Sequence, residues 1–374
     1  MKVAAGPALH RDGPNKTDDA SDRAQGAQRE DEMKLNGWKL SRACKSAHKS
    51  ARTSAHKTAL MGLMFAAAMA AASSLAHAQD VVRVGKTASN ALAFTPPEVG
   101  NAKGIWAKHG LKVEVQQYAG DARMQQGMIA NEIEFGLGSG PSMGFIAKKA
   151  PIMTVGVIAD QPLSMGLITG KDSKYKKPED LKGARLGITT NGSLTYWLVR
   201  ELSRRMGWGP EGIRMVPLGT ITGQIAGLKS GQVDGFIMSA SVGYMLDQKN
   251  EGEVMLHFGD MIQEFHTHVV FANNRVIQAK PDAVRRFLAG WIETVEYMRA
   301  NPDEAIELAS KVTGIPADIQ RQEFSKVMPM MSKDMRFKPE ALRVIVDSFQ
   351  ELEILDFKPD PKTLYTEAFL PSAK

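Results

Sequence analysis

The chain has 374 residues, enough for two domains with separate cores. Its 47 Lys/Arg against 41 Asp/Glu give a net charge of +6, but residues 1–78 hold twelve of the bases and seven of the acids, leaving 35 and 34 beyond. So balanced a body excludes a basic nucleic-acid surface, and a single cysteine, Cys44, excludes a disulfide framework.

Residues 1–32 are polar, rich in Gly, Asp and Gln, and unpatterned; they read as a disordered extension unless Met33 is the true start. From 34 to 57 the chain is basic with no acid, 59–75 ("ALMGLMFAAAMAAASSL") is uncharged and apolar, and "AHA" at 76–78 sets small residues before Gln79. This is the three-part layout of a secretory signal peptide over 33–78, cut after Ala78. An uncleaved anchor is the rival, but the run is short and alanine-rich for a span of about 20 residues. Cys44 leaves with the peptide. The exported chain, expected in the periplasm, then holds no thiolate nucleophile or cysteine ligand.

Three strand-loop-helix units follow. "VVRVGKT" (81–87) leads to a helix from about Pro97, "LKVEVQQY" (111–118) to "DARMQQGMIANE", and "IEFGLGSG" (133–140) to "PSMGFIAKKA". Such alternation predicts a parallel sheet with helices on its faces. The order recurs about a hundred residues on, in "ARLGITTNGS" (184–193), "GIRMVPL" (212–218) and "GQVDGFIMSAS" (231–241). Two equal series predict an α/β fold of two similar lobes, each built on a mainly parallel sheet, rather than a repeat array.

Between the series, 151–158 and 163–170 are strand-like and 171–183 is a polar connector; 267–274 is a further strand. In 280–298, Val284, Phe287, Leu288, Trp291, Ile292, Val295 and Met298 follow helical spacing, and Asn301 with Pro302 restarts a helix that Gly314 can end. The C-terminal hundred residues are expected to pack back on the first lobe. Lobe 1 is then 80–172 with 266–374 and lobe 2 is 173–265, with crossings near 171–178 and 262–267.

Ligands of open parallel α/β sheets bind beyond the carboxyl ends of the strands. Four turns, 87–90, 138–142, 189–193 and 239–241, then face one cleft, and their residues are Ser, Thr, Asn, Gly and Ala with no acid or base. Helix starts offer unpaired N–H groups at the positive end of a dipole, so Thr87, Ser89, Asn90, Ser139, Gly140, Ser142, Thr190, Asn191, Gly192, Ser193, Ser239 and Ser241 are candidate contacts for an anionic or polar ligand. Any one turn is equally an ordinary N-cap. Four at matching points of two lobes favour binding.

Arg123, following the second strand, is a candidate counter-charge, and Gln161, at a strand end, a candidate hydrogen-bonding contact. Tyr196 and Trp197 could wall the cleft or, for Trp197, fill the core. Glu264, His266 and His268 alternate along one strand; side chains there point in parallel rather than converge, so no metal is assigned, and no cofactor. An enzyme is not expected: Leu137 replaces the first glycine of a G-x-S-x-G elbow, no Walker A motif occurs, "GLGSG" matches a dinucleotide fingerprint only loosely, and none of His109, His257, His266 and His268 falls in a cleft turn.

The signal peptide, "VVRVGKTASN", "AKGIWAKHGLKVEV", "IEFGLGSGPSM", "PEDLKGARLGITTNGSLTYWLVRELSRRMGW" and "GLKSGQVDGFIMS" together resemble the nitrate/sulfonate/taurine-type periplasmic substrate-binding proteins of ABC importers. The resemblance covers nearly all of 80–374, and "DLKGARLGI" with "SGQVDG" is its most specific part. It implies the type II periplasmic-binding-protein fold, a monomer, a ligand held between two lobes, and delivery to an inner-membrane ABC permease. It would set Asn191, Gly192 and Ser193 at a second-lobe helix start facing the ligand, with Ser139 and Ser142 opposite. Ligands in that family range from inorganic anions and sulfonates to pyrimidine precursors and aromatic acids, so a small anionic or polar solute is expected. The alternative is a sensor or an enzyme on the same scaffold. Pyrimidine-synthase-like relatives carry a cysteine-rich motif absent here, and menaquinone-pathway-like ones are cytoplasmic.

Overall fold

A computed structural model describes residues 79–372, so the extension over 1–32 and the signal peptide over 33–78 lie outside the described residues. Ten strands form two five-stranded sheets. They are β1 (Asp80–Lys86), β2 (Leu111–Gln117), β3 (Phe135–Ser139), β4 (Ile152–Ala159), β5 (Met165–Gly170), β6 (Arg185–Ile188), β7 (Arg214–Pro217), β8 (Gly235–Ser239), β9 (Gly252–His257) and β10 (His268–Asn273). Helices of seven residues or more are α1 (Pro96–Ala102), α2 (Asp121–Ile129), α3 (Leu194–Arg205), α4 (Ile221–Lys229), α5 (Ala240–Gln248), α6 (Pro281–Ala300), α7 (Pro302–Thr313), α8 (Ala317–Met330) and α9 (Pro339–Glu351).

The first sheet runs β2-β1-β3-β10-β4 and the second β7-β6-β8-β5-β9. The orders correspond strand for strand, and β3 and β8 start one hundred residues apart. In each sheet three strands pair in parallel and one joins antiparallel: β10 lies between β3 and β4, and β5 between β8 and β9. The sheets are therefore mixed, with a reversed strand in the interior of each.

Strand β5 corrects the expected lobe boundary. The expected boundary places 163–170 in lobe 1, yet Met165–Gly170 pairs with β8 and β9 of the second sheet. The chain crosses between sheets at 160–164 and returns through 258–267; the polar 171–183 joins β5 to β6 within one sheet. Five of six β5 residues are buried. An apolar run of that kind announces a central strand without naming its sheet.

Helix α6 opens on a proline and buries Val284, Phe287, Leu288, Trp291, Val295 and Met298. Phe287 stacks on Trp106 at 5.2 Å and on Phe135 at 4.1 Å, tying the helix to the first sheet. Helix α7 starts at Pro302 and ends at Gly314, whose φ of 72° suits the left-handed cap. The C-terminal segment packs on the first sheet, Met331 and Tyr365 bridging to Ala159 and Thr154 of β4, and its last helices also reach the second-sheet side. Val327, Met328 and Met330 of α8 join the first-sheet core, while Gln248 and Tyr244 of α5 bond Asp318 and Lys326 of α8. From α9, Ser348 accepts the Trp197 indole N–H at 2.7 Å, and Ile345 and Phe349 share a core with α3.

Candidate functional site

The strand ends converge on a cleft with two adjoining chambers. The outer one, about 330 Å³, is lined by Thr87, Ser89, Asn90, Tyr118, Arg123, Thr189, Thr220 and Ile221, among others. The inner one, about 40 Å³, lies against Phe94, Asp121, Ser139, Ser164, Leu194, Ser239 and His268. Thr87, Ala88, Asn90, Thr189 and Met238 border both.

Arg123 is the charged side chain of the outer chamber; it is exposed and makes no ion pair among the described residues. A second cation lies just behind the 87–90 turn, but Lys86 is fully buried and paired with Glu98, so its charge is spoken for. Opposite, Thr220 caps α4 by accepting from Gly223 N at 3.3 Å, and Gly219 to Ile221 line the chamber wall. A helix start and a guanidinium therefore bear on the same space. The four turns expected from the sequence do not include 219–221, although it is the counterpart, after β7, of the segment after β2 that carries Arg123.

The inner chamber holds unsatisfied polar groups. Asn90 Nδ2 and His268 Nδ1 are buried there without hydrogen-bond partners among the described residues. The His268 ring meets Phe94 edge-on at 4.6 Å, and burial pushes its pKa down to about 3, so the imidazole is neutral at physiological pH. A histidine does line the cleft, contrary to expectation. With so low a pKa it is a poor general base, and its unpaired nitrogen is better suited to hydrogen bonding.

Three of the four expected anion-holding turns are already filled. Asp121, the first residue of α2, buries its carboxylate where Ser139 N (2.9 Å), Ser139 Oγ (3.1 Å) and Ser142 Oγ (2.5 Å) all donate to Oδ1. The Leu194 backbone N–H, at the start of α3, also stabilises the ionised carboxylate. Burial nevertheless drives the Asp121 pKa upward, the hydrogen bonds from Ser142, Ser139 and Leu194 opposing it. A Cβ on Gly138 would lie 2.8 Å from Oδ1, so the close approach needs glycine. At the third turn Ser239 Oγ donates to Glu323 Oε1 at 2.7 Å, and the Ser241 backbone N–H also favours the charged form. Burial pushes the Glu323 pKa up to about 7.

These contacts relocate several candidates. Thr87, Ser89, Asn90 and Arg123 line the outer chamber, and Ser139 and Ser239 the inner one. Ser142 is buried on Asp121 and Ser193 is buried as the α3 cap, accepting from Tyr196 N at 3.3 Å. Thr190 Oγ1 accepts from Ala122 N at 3.3 Å, and it is the neighbouring Thr189 that borders the chambers. Asn191 and Gly192 line a separate groove of about 360 Å³ with Phe145, Lys148, Tyr196 and Ile354. Gly140 is pressed against the His266 carbonyl, where a Cβ would come within 2.1 Å. Ser241 is buried with its hydroxyl unpaired among the described residues, and Gln161 donates to Gln263 Oε1 at 3.2 Å between the two crossing segments. Trp197 is core, 4.3 Å from Phe265, so the aromatic wall of the cleft is Tyr118. His266 shares a hydrogen bond with Asp160 and accepts Lys338 N, pointing away from any ligand triad with His268.

Residues 92–305 match the family model described as NMT1/THI5 like. A Brucella abortus (strain 2308) protein described as a candidate binding protein is 23% identical over 226 residues, covering 57% of this chain and 66% of its own length. The chain thus spans just under two thirds of that curated relative. Among solved structures, a Candida albicans gene product with the generic periplasmic binding protein fold is 18% identical, covering 79% of this chain and 98% of that one, with a TM-score of 0.68. The alkanesulfonate-binding protein SsuA from Xanthomonas axonopodis pv. citri, bound there to MOPS, is 14% identical over 76% of this chain and 96% of that one, with a TM-score of 0.65. At such identities the likeness carries the two-lobe periplasmic-binding-protein fold, and the family match extends over more than half of the sequence. This chain belongs to the NMT1/THI5-like family.

Proposed function

We propose that the protein is the extracytoplasmic solute-binding component of an ABC importer and holds a small anionic solute in the cleft between its sheets. The observation that carries this reading is the outer chamber, where Arg123, the start of α4 and the 87–90 turn offer positive charge and donors around about 330 Å³. The Tyr118 ring with Ala88, Ile221 and Met238 supplies an apolar wall, so an organic sulfonate or carboxylate suits the chamber better than a bare inorganic anion. Dipoles and a single exposed guanidinium hold an anion firmly and still let it go at a permease. Export to the periplasm, an inner-membrane permease as partner and a monomeric state belong to the same proposal.

The test is a thermal-shift panel of nitrate, aliphatic and aromatic sulfonates, carboxylates and pyrimidines, followed by calorimetry on any hit. A ligand at one hundred times its Kd stabilises by about 2.7 kcal/mol, which a melting curve resolves. Recovery of the bound compound unchanged separates carriage from catalysis. A panel in which no anion raises the melting temperature sinks the reading.

A further inference from the structure

We propose that Asp121 is a built-in anion, held ionised against its burial by the three hydrogen bonds donated to Oδ1: its carboxylate fills the 138–142 turn, borders the chamber that the start of α3 at Leu194 also lines, and so acts as a specificity-determining residue, confining the solute's charged group to the Arg123 end of the cleft. Three element starts meet at this carboxylate. Asp121 is itself the first residue of α2, Ser139 N opens the short helical turn at Gly140–Met143, and Leu194 N opens α3. Ser139 Oγ and Ser142 Oγ complete the shell, the three donors from these serines lying 2.5 to 3.1 Å from Oδ1. This is the donor set a bound oxyanion would receive, closed around a group the chain provides.

The arrangement also joins the two sheets. Asp121 and Ala122 belong to the first-sheet side, while Leu194 and Thr190, which accepts from Ala122 N at 3.3 Å, follow β6 of the second. Ser142 Oγ additionally lies 3.5 Å from the Gly192 carbonyl. A second anionic group near the inner chamber would meet Asp121 at close range, where the Ser139 and Ser142 donors are already committed to that carboxylate and Asn90 Nδ2 is left to offset the repulsion. Discrimination then arises from repulsion at one end and attraction at the other. The inference rests on the proposed function for where the solute's charge goes, but not for the identity of the anion at α3.

The experiment is chemical rescue in the full chain. Asp121→Ala removes the carboxylate and leaves its volume; we expect a fall in melting temperature of roughly 5–10 °C, at least half of it recovered saturably by formate and not by chloride at equal ionic strength. The double variant Asp121→Ala/Arg123→Ala keeps the formate response, which places the anion at α3 rather than in the outer chamber. Loss of the response in that background, or equal rescue by chloride, overturns the proposal. Should Asp121→Ala not fold with or without formate, Asp121→Asn decides: it keeps shape and an acceptor but no charge, and is expected to melt lower than the parent without responding to formate. An Asp121→Asn protein as stable as the parent from pH 5 to 8 also overturns it. A protein that binds no panel ligand yet shows the rescue would leave Asp121 as the built-in anion, and remove both its specificity role and the transport reading.

Discussion

Glu323 and Ser239 meet between the two sheets: the serine hydroxyl at the end of β8 donates to Glu323 Oε1 of α8 at 2.7 Å, and Oε2 is buried without a partner among the described residues. The carboxyl is 1% exposed as a residue and its pKa stands at about 7 against an ordinary 4.5. The folded protein therefore keeps a proton that the unfolded chain has released between those values. The associated stability is complete below pH 4.5 and is lost as pH rises through about 7, a difference of about 3 kcal/mol. Melting temperatures of Glu323→Gln and the parent, taken from pH 5 to 8, should diverge upward with pH, the variant gaining on the parent. A constant gap across that range would show that Glu323 does not titrate there.

His268 works in the opposite sense. Its pKa is lowered from 6.5 to about 3 by burial beside the inner chamber. Stability from this neutral ring is complete above pH 6.5 and is lost as pH falls toward 3, by up to about 5 kcal/mol. Between pH 4.5 and 6.5 the two groups offset each other, so only differences between variant and parent isolate either. His268→Gln should shift the acid-unfolding midpoint to lower pH while changing the melting temperature at pH 7.5 far less. An unchanged acid midpoint refutes this.

Arg123 is exposed and unpaired among the described residues, so its removal should cost little in the empty protein, within about 0.5 kcal/mol. If it holds the solute's charge, Arg123→Ala weakens binding of the best panel ligand by roughly 10- to 100-fold, the worth of a charge-assisted hydrogen bond. Calorimetry on both proteins reads the two effects separately. Equal affinities would move the anion elsewhere in the cleft.

The duplication was legible because β3 and β8 carry the same pattern one hundred residues apart, and α6 because seven apolar residues fall at one spacing. Pairing direction was not: β5 and β10 are apolar and buried, and nothing local tells such a strand which sheet it enters or which way it runs. At the site, the strand-end rule found Arg123 and the 87–90 turn. It could not separate Thr189 from Thr190, since successive residues leaving a strand face opposite ways. Asp121 reads as an ordinary first-turn acid and Glu323 as one position inside a helix, 84 residues from its partner Ser239; only the fold brings either to a turn.

The 189–193 turn now predicts stability where it first suggested affinity. Ser193 is buried as the α3 cap, with Oγ also 2.9 Å from Thr195 Oγ1, so Ser193→Ala should cost about 1 kcal/mol of folding stability. Asn191 lines the separate groove, and Asn191→Ala should leave solute affinity unchanged. Thr220 caps the helix start that borders the outer chamber. Thr220→Ala both loosens that cap and withdraws a hydroxyl from the solute's side, so it should lower affinity several-fold for a comparable loss of stability. Measuring melting temperature and Kd for all three separates the alternatives. Were Asn191→Ala or Ser193→Ala to weaken binding more than Thr220→Ala, the solute would sit at α3, and Asp121 would have to leave that helix start for it to do so.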